Sequence, residues 1–392
     1  MGLKQWLPLC GIVLCVFVFN MSEFMPIGLL TSISADLGIS ESQTGTIISL
    51  YAWAVAILSV PLMLILNRMQ YRPMLLLFVG LFAVFQILSG LANDYYTLVA
   101  ARLGVAVAHA VFWSIAAPLA VKVVEPRYRL AALSAVATGT SIAMIVGLPL
   151  GRVIGLALGW RMTFYSIAAV TMMTFVLLLA VFPKVQNPGT FSARKLPDLF
   201  RDRVLLGIYL LIALFVTGYY TGYSYIEPFL LDVVGMSPEL VTLALTLFGF
   251  AGIGGSILFS KRYGKKKYLY LFISPGGVLL VMALLDYIAF STVLVFVACA
   301  AWGFCGTMTT TAYQNEAILA SPEDATPVAI AMFSGIFNVG IALGSIIGGF
   351  VVSVPGIETL GANGAFFVLL AVVFVGLFLI RWIKAADDAR AE

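Results

Sequence analysis

The sequence predicts an all-α polytopic membrane protein with twelve transmembrane helices in two six-helix bundles. Three observations carry that prediction. The 392 residues have a mean hydropathy of +1.06, with 62% hydrophobic and only 10% charged residues, far outside the averages of soluble domains. Apolar segments long enough to cross roughly 30 Å of hydrocarbon recur twelve times. One polar stretch divides them six and six.

The first run, at about 7–30, is too long for the apolar core of a cleaved signal and is followed by many more, so it reads as a retained first helix. Five spans follow at about 44–66, 73–92, 96–120, 130–152 and 162–182. The stretch PKVQNPGTFSARKLPDLFRDR, Pro183 to Arg203, has two early prolines and a third before a short amphipathic piece. It reads as a cytoplasmic linker containing a surface helix. Six more spans lie at about 204–231, 238–260, 268–289, 291–318, 327–352 and 361–382, with only Asp286 and Tyr287 interrupting the third and fourth of these. The expected domains are therefore 1–182, the linker 183–203, and 204–392.

Orientation follows from Lys and Arg. Lys4, Arg68, Arg72, Arg127, Arg129, Lys195, Arg203, Lys261, Lys267, Arg381 and Lys384 all fall on one side, whereas the other keeps only Arg152 and Arg161. Both termini are expected to be cytoplasmic. A break between two bundles suggests a transporter built from pseudo-equivalent halves.

Composition excludes other classes. Cys10, Cys15, Cys299 and Cys305 all lie in apolar stretches without C-x-x-C or Cys/His spacing, so neither a metal site nor redox chemistry is indicated. The basic residues sit in short loops and mark topology, not nucleic acid. No G-x-x-x-x-G-K-[ST] loop occurs, so ATP-driven pumping by this chain has no sequence support. No catalytic constellation is present; the chain reads as no enzyme, with no cofactor, and any driving energy should come from an ion gradient.

Glu23 lies in the middle of the first run, three residues before Pro26. A carboxylate in hydrocarbon is costly, so it faces a cavity or a partner. Burial favours a protonated carboxyl and a nearby cation favours the carboxylate; a group moved between such surroundings loads and releases a proton. Pro26 removes a backbone hydrogen bond, letting the helix bend and turn carbonyls toward a cavity. The alternative is a fixed interhelical hydrogen bond. Arg102 and His109, the only histidine, are seven residues apart in the fourth span; two helical turns put them on one face about 10 Å apart, with Ala106 and Trp113 along the same stripe. Alternatively Arg102 snorkels to the outer interface and His109 bonds between helices.

Glu227, beside Pro228, echoes Glu23 at an offset of 204 residues. Tyr219, Tyr220, Tyr223 and Tyr225 precede it, and Tyr220, Tyr223 and Glu227 have the i, i+3, i+7 spacing of one helix face. Hydroxylated rings suit stacking on a sugar or nucleoside, although an aromatic belt at the interface gives the same pattern. Asn20, Tyr51, Trp53 and Asn338 are further polar or aromatic candidates inside spans, as are Gln314, Asn315 and Glu316 toward the end of the tenth. Gly139, Gly147, Pro149 and Gly151 punctuate the fifth span, and Gly340 and Gly344 the eleventh. Small residues at that spacing let helices approach closely.

Over essentially its full length the chain resembles bacterial sugar efflux transporters of the drug:proton antiporter branch of the major facilitator superfamily. NMSEFMPIGLL at 20–30, YAWAVAILSVPLM at 51–63, RLGVAVAHAVFWSI at 102–115, ATGTSIAMIVGLPLGRVIG at 137–155, YSYIEPF at 223–229 and FSGIFNVGIALG at 333–344 carry the resemblance. It implies the major facilitator fold, twelve helices around a central cavity, with alternating access by two bundles. Gly139, Gly147, Pro149 and Gly151 match the antiporter motif, and Arg102 the fourth-helix motif tied to proton coupling. LNRMQYRP departs from the usual loop pattern at Asn67, while SKRYGKKK keeps Gly264. By resemblance, Glu23 and His109 with Arg102 serve proton coupling, and Asn20, Tyr51, Trp53, Trp113, Tyr220, Tyr223, Glu227 and Asn338 line the substrate cavity.

The expected function is proton-coupled efflux of arabinose-like sugars, galactosides or analogues from the bacterial cytoplasm across the inner membrane. Multidrug or nucleoside export, uptake through the same fold, and a ligand-sensing role are alternatives. The expected partners are a small-molecule substrate, protons and membrane lipid, with no nucleic acid and the monomer as working unit.

Overall fold

A computed structural model describes residues 3–66, 69–125, 128–185, 201–263, 266–322 and 326–391. Among these every regular element is helical, as backbone groups in hydrocarbon require. Eleven of the helical stretches are long and apolar enough to cross a membrane. The remaining expected span, 130–152, is helical from α6 (Arg129–Ile142) through a π-turn at Ala143–Gly147 into α7 (Leu148–Leu158). The expected surface helix of the linker, the departure at Asn67 and the retained Gly264 lie outside the described residues.

Helix ends follow local chemistry. The first span is α1 (Leu3–Phe24), a 3-10 segment at Met25–Leu29 and α2 (Leu30–Leu37). Glu41–Leu66 forms α3, Tyr71–Leu91 α4 and Tyr95–Lys122 α5. Asp94 caps α5, accepting from the Thr97 amide at 2.9 Å and its hydroxyl at 2.6 Å; these bonds hold its carboxyl below the usual range. Between α7 and α8 (Trp160–Val181), Gly159 has φ +90°, a conformation side chains disfavour. In the second half, α9 (Arg203–Tyr223) is capped by Asp202, and α10 (Pro238–Arg262) by Ser237. α11 (Lys267–Ile288) and α12 (Thr292–Ala320) are separated at Ala289–Ser291, where the two expected spans meet, because Ser291 turns extended and caps α12. α13 (Thr326–Val351), α14 (Leu360–Phe374) and α15 (Ile380–Ala391) complete the chain.

The contacts divide the chain into two units, one of residues 1–40 and 50–191, the other of 41–49 and 192–392. In the first, α4 packs on α5 and α8, and α1 packs on α6, α8 and the π-turn. A Cβ at Gly147 would press on Met21, one at Gly151 on Met25, and one at Gly155 on Leu29. These three glycines form sockets for successive turns of the first span, and Pro149 is buried beside them. Gly139 lies against Val13 in the same way. In the second unit α9 is held by α13 and α14, and α10 crosses α12. There Gly340 faces Val216 and Gly344 faces the backbone of Thr217 and Thr221. Within each unit the first helix is thus seated in the small-residue face of the fifth.

Candidate transport site

Pro26 governs the first site. Proline has no N–H, so in a continuous helix the Ser22 carbonyl, four residues earlier, loses its donor. Helix α1 stops at Phe24 and the chain tightens into the 3-10 segment. The Ser22 carbonyl is met from α5 instead: Arg102 Nη2 donates to it at 2.9 Å, and Nη1 donates to the Ser22 hydroxyl at 2.9 Å. Gln86 on α4 donates to the same hydroxyl oxygen. Arg102 is 2% exposed and lies 4.6 Å from the centre of the Tyr51 ring. It does not snorkel.

The next residue is Glu23. Its Oε2 lies 3.6 Å from Nε2 of His109, with side-chain exposures of 12% and 3%. That separation is an ion-pair distance for a protonated imidazole and too long for a direct hydrogen bond. Tyr51 meets His109 edge-on with ring centroids 5.6 Å apart, and Trp113 is 6.0 Å from it. Phe19 closes one side, stacked between Phe82 and Phe112. Around this carboxylate, Tyr51 Oη, His109 Nδ1, Arg102 Nε and Gln86 Oε1 are buried without a hydrogen-bond partner among the described residues. Such groups are expensive, and costs of this kind are kept where a site has work to do.

Of the remaining candidates in this unit, Asn20 is buried and donates to its own helix at Val16, 2.9 Å away. Trp53 is half-buried and, among the described residues, joins none of these ring contacts. Ser22 and Gln86 were not legible as site residues, because a serine and a glutamine within apolar runs carry no charge to flag them.

Arg152 corrects the sequence reading more sharply. Counted there as a charge of the outer side, it lies inside α7, is 1% exposed, and donates through Nη1 to the Gly28 carbonyl. The fifth span is longer than the apolar run suggested, since α7 continues to Leu158.

The second unit holds an aromatic cluster. Tyr223 stacks on Phe248 at 4.9 Å, Tyr219 meets Trp302 edge-on at 5.6 Å, and Tyr220 lies 5.7 Å from Tyr223 and 6.2 Å from Phe337. Trp302 is fully buried and its Nε1 has no hydrogen-bond partner. Asn338 is buried; its Nδ2 donates to Ser334 at 3.0 Å while its Oδ1 is unpartnered. The single helix face expected for Tyr220, Tyr223 and Glu227 is not formed. Helix α9 ends at Tyr223, Tyr225 leaves helical geometry at φ −119° and ψ 18°, and Glu227 lies fully buried in a separate turn, Ile226–Pro228. Phe248 and Trp302 come from α10 and α12, and only tertiary packing brings them to the tyrosines.

An ion cluster lies apart from these rings in the same unit. Lys267 Nζ is 2.7 Å from Glu316 and 2.7 Å from Asp387. Tyr263 donates to Glu316 at 2.6 Å and Tyr268 to Asp387 at 2.9 Å. Glu316 is therefore spent on tying α11, α12 and α15 together. Among the described residues no group of His, Cys, Asp and Glu could hold a metal ion.

Residues 12–327 match the family model described as Major Facilitator Superfamily. Two solved structures are similar along nearly the whole chain, both of a bacterial homolog to the human lysosomal transporter Spinster. For its inward-facing, unoccupied form the TM-score is 0.72 at 16% identity, covering 99% of this chain and 98% of that one. For its inward-facing, occupied form the TM-score is 0.71 at 14% identity, with the same coverage. At such identities the likeness speaks for the fold.

Proposed function

Because this chain belongs to the Major Facilitator Superfamily, whose members move small molecules across membranes, we propose that it is a proton-coupled exporter of sugars such as arabinose, galactosides or their analogues. The observation that carries the proton coupling is the Glu23–His109–Arg102 cluster at the broken first helix. In the cycle proposed, an external proton loads Glu23 or His109, and alternating access releases it inside while a cytoplasmic sugar leaves. Arg102 holds the backbone at Ser22 and presents a fixed positive charge to the carboxylate.

The sugar reading rests on the rings of Tyr220, Tyr223, Phe248 and Trp302 and on the unpartnered Trp302 N–H and Asn338 carbonyl. Rings that stack and polar groups that await a partner suit a polyhydroxylated ligand. Asn20, Tyr51, Trp53 and Trp113 in the first unit and Glu227 in the second are assigned to substrate binding, and Gly139, Gly147, Pro149, Gly151, Gly340 and Gly344 to the helix surfaces that move. The charge distribution supports a bacterial inner-membrane location with both termini cytoplasmic. The working unit proposed is the monomer, in contact with lipid.

The decisive assay is purified protein in liposomes with an imposed pH gradient and labelled arabinose. Wild type should move the sugar uphill against the proton flow, and Glu23→Gln should abolish uphill movement; unchanged coupling in that variant removes Glu23 from its role. A competition panel of sugars, nucleosides and cationic drugs tests the substrate. Selective displacement by a nucleoside or a cation would overturn the sugar assignment and leave the proton site standing.

A further inference from the structure

We propose that Arg152 is a positioning residue of the proton site, acting as the second cationic clamp on the broken first helix; the inference rests on the reading of Glu23 as a proton carrier. An arginine inside a membrane helix is costly and marks function or a specific partner. Arg152 is fully buried and donates to the backbone carbonyl of Gly28, within the 3-10 segment that follows the end of α1. Arg102 holds the carbonyl of Ser22 just before the break, and Arg152 holds that of Gly28 just after it. Glu23 and Pro26 lie between the two clamped carbonyls.

The two clamps come from different helices. Arg102 is on α5, whereas Arg152 is on α7; Gly147 at the start of α7 and Gly151 and Gly155 within it receive Met21, Met25 and Leu29. Thr163 of α8 steadies the same point of α7 by donating to the Gly151 carbonyl at 3.0 Å. A shift of α7 is therefore passed through Arg152 to the segment that sets where Glu23 stands. The charged and titratable groups facing Glu23 itself are His109 and Arg102 from α5 and Tyr51 from α3. Arg152 acts on this set through the backbone of the first helix.

The test compares Arg152→Met, which keeps the length of the stem, Arg152→Lys, which keeps a cation and a donor, and Glu23→Gln. Amide hydrogen exchange in detergent reads the clamp without reference to transport. Arg152→Met should speed exchange of residues 27–33 about tenfold, the loss expected for one charge-assisted hydrogen bond, and Arg152→Lys should restore most of the protection. In liposomes, the pH profile of proton-driven arabinose flux should be displaced in Arg152→Met and return toward wild type in Arg152→Lys. Wild-type exchange and an unmoved pH profile in a folded Arg152→Met protein overturn the proposal. So does equal loss of flux in both Arg152 variants with the pH profile unmoved, which marks a purely structural role. If Glu23→Gln keeps its coupling, the proton-site reading fails, while the exchange result still decides whether the clamp exists.

Discussion

Each unit breaks its first helix with a proline, and the two breaks are completed differently. In the N-terminal unit Pro26 strips the Ser22 carbonyl of its donor, and a buried guanidinium from α5 supplies one, next to a carboxylate and an imidazole. In the C-terminal unit Pro228 stands in the same relation to Ser224, and the groups of α13 that meet Ser224 and Tyr225 are neutral. The Ser224 hydroxyl meets that of Ser345 at 2.7 Å, and the Tyr225 hydroxyl donates to the Ser345 carbonyl at 3.1 Å. The repeated element is thus Ser-x-x-x-Pro, at an offset of 202 residues rather than the 204 that separates the glutamates. In that register Glu23 corresponds to Tyr225 and Glu227 to Met25. The same backbone device recurs in both units, and among the described residues a buried guanidinium completes it in the first alone.

The largest effect expected from this contrast is on coupling. Where Glu23→Gln abolishes gradient-driven export, Glu227→Gln should retain it and weaken substrate affinity by about tenfold, as for loss of one hydrogen bond to a charged group. Flux assays with and without a pH gradient separate the two outcomes, and loss of coupling in Glu227→Gln would restore the symmetry denied here. Next comes the ion cluster. Lys267→Met leaves Glu316 buried without its cation, a change that costs about 3–5 kcal/mol. Its thermal midpoint in detergent should fall markedly, while any surviving transport stays proton-coupled.

Pro26→Ala returns an N–H to the helix, so the Ser22 carbonyl can be satisfied locally and Arg102 is released from it. Removing a proline from a helical stretch gains up to about 3 kcal/mol, so stability should hold or rise while proton-driven flux falls. Flux equal to wild type would show that the break is incidental. Pro228→Ala, with no guanidinium at Ser224 among the described residues, should affect flux less. The smallest effect lies at Asp94. Its carboxyl is held below the usual range by Thr97, so its capping contribution is complete above about pH 4 and is lost as pH falls through the folded value. Exchange of the amides at 95–98 should quicken on acidification, and Asp94→Ala should remove that pH dependence.

Much of the fold was legible because hydrocarbon leaves the backbone few options: apolar runs had to be helices, and their lengths marked them as membrane spans. Glu23, Arg102 and His109 stood out for the same reason, as charges where charge is costly, and the structure brings all three together. What stayed hidden depended on where helices end and what crosses between them. Arg152 was counted only as a charge of the outer side because it closes the apolar run at 130–152, whereas α7 continues to Leu158. Glu227 was placed on a face that ends at Tyr223. Phe248 and Trp302 became visible only when α10 and α12 were packed on the tyrosines.

The borrowed donor at Ser22 also has a consequence for how the chain is made. Synthesis delivers the first span to the bilayer three spans before Arg102 emerges from the ribosome. Until then the carbonyl stripped by Pro26 has no partner in its own helix, and an unsatisfied carbonyl in lipid costs several kcal/mol. The nascent first helix should therefore linger beside the insertion machinery, whose interior is wet, until the fourth span arrives. Chains truncated before Tyr95 should crosslink to that machinery from positions near Pro26, and chains extended beyond Lys122 should not.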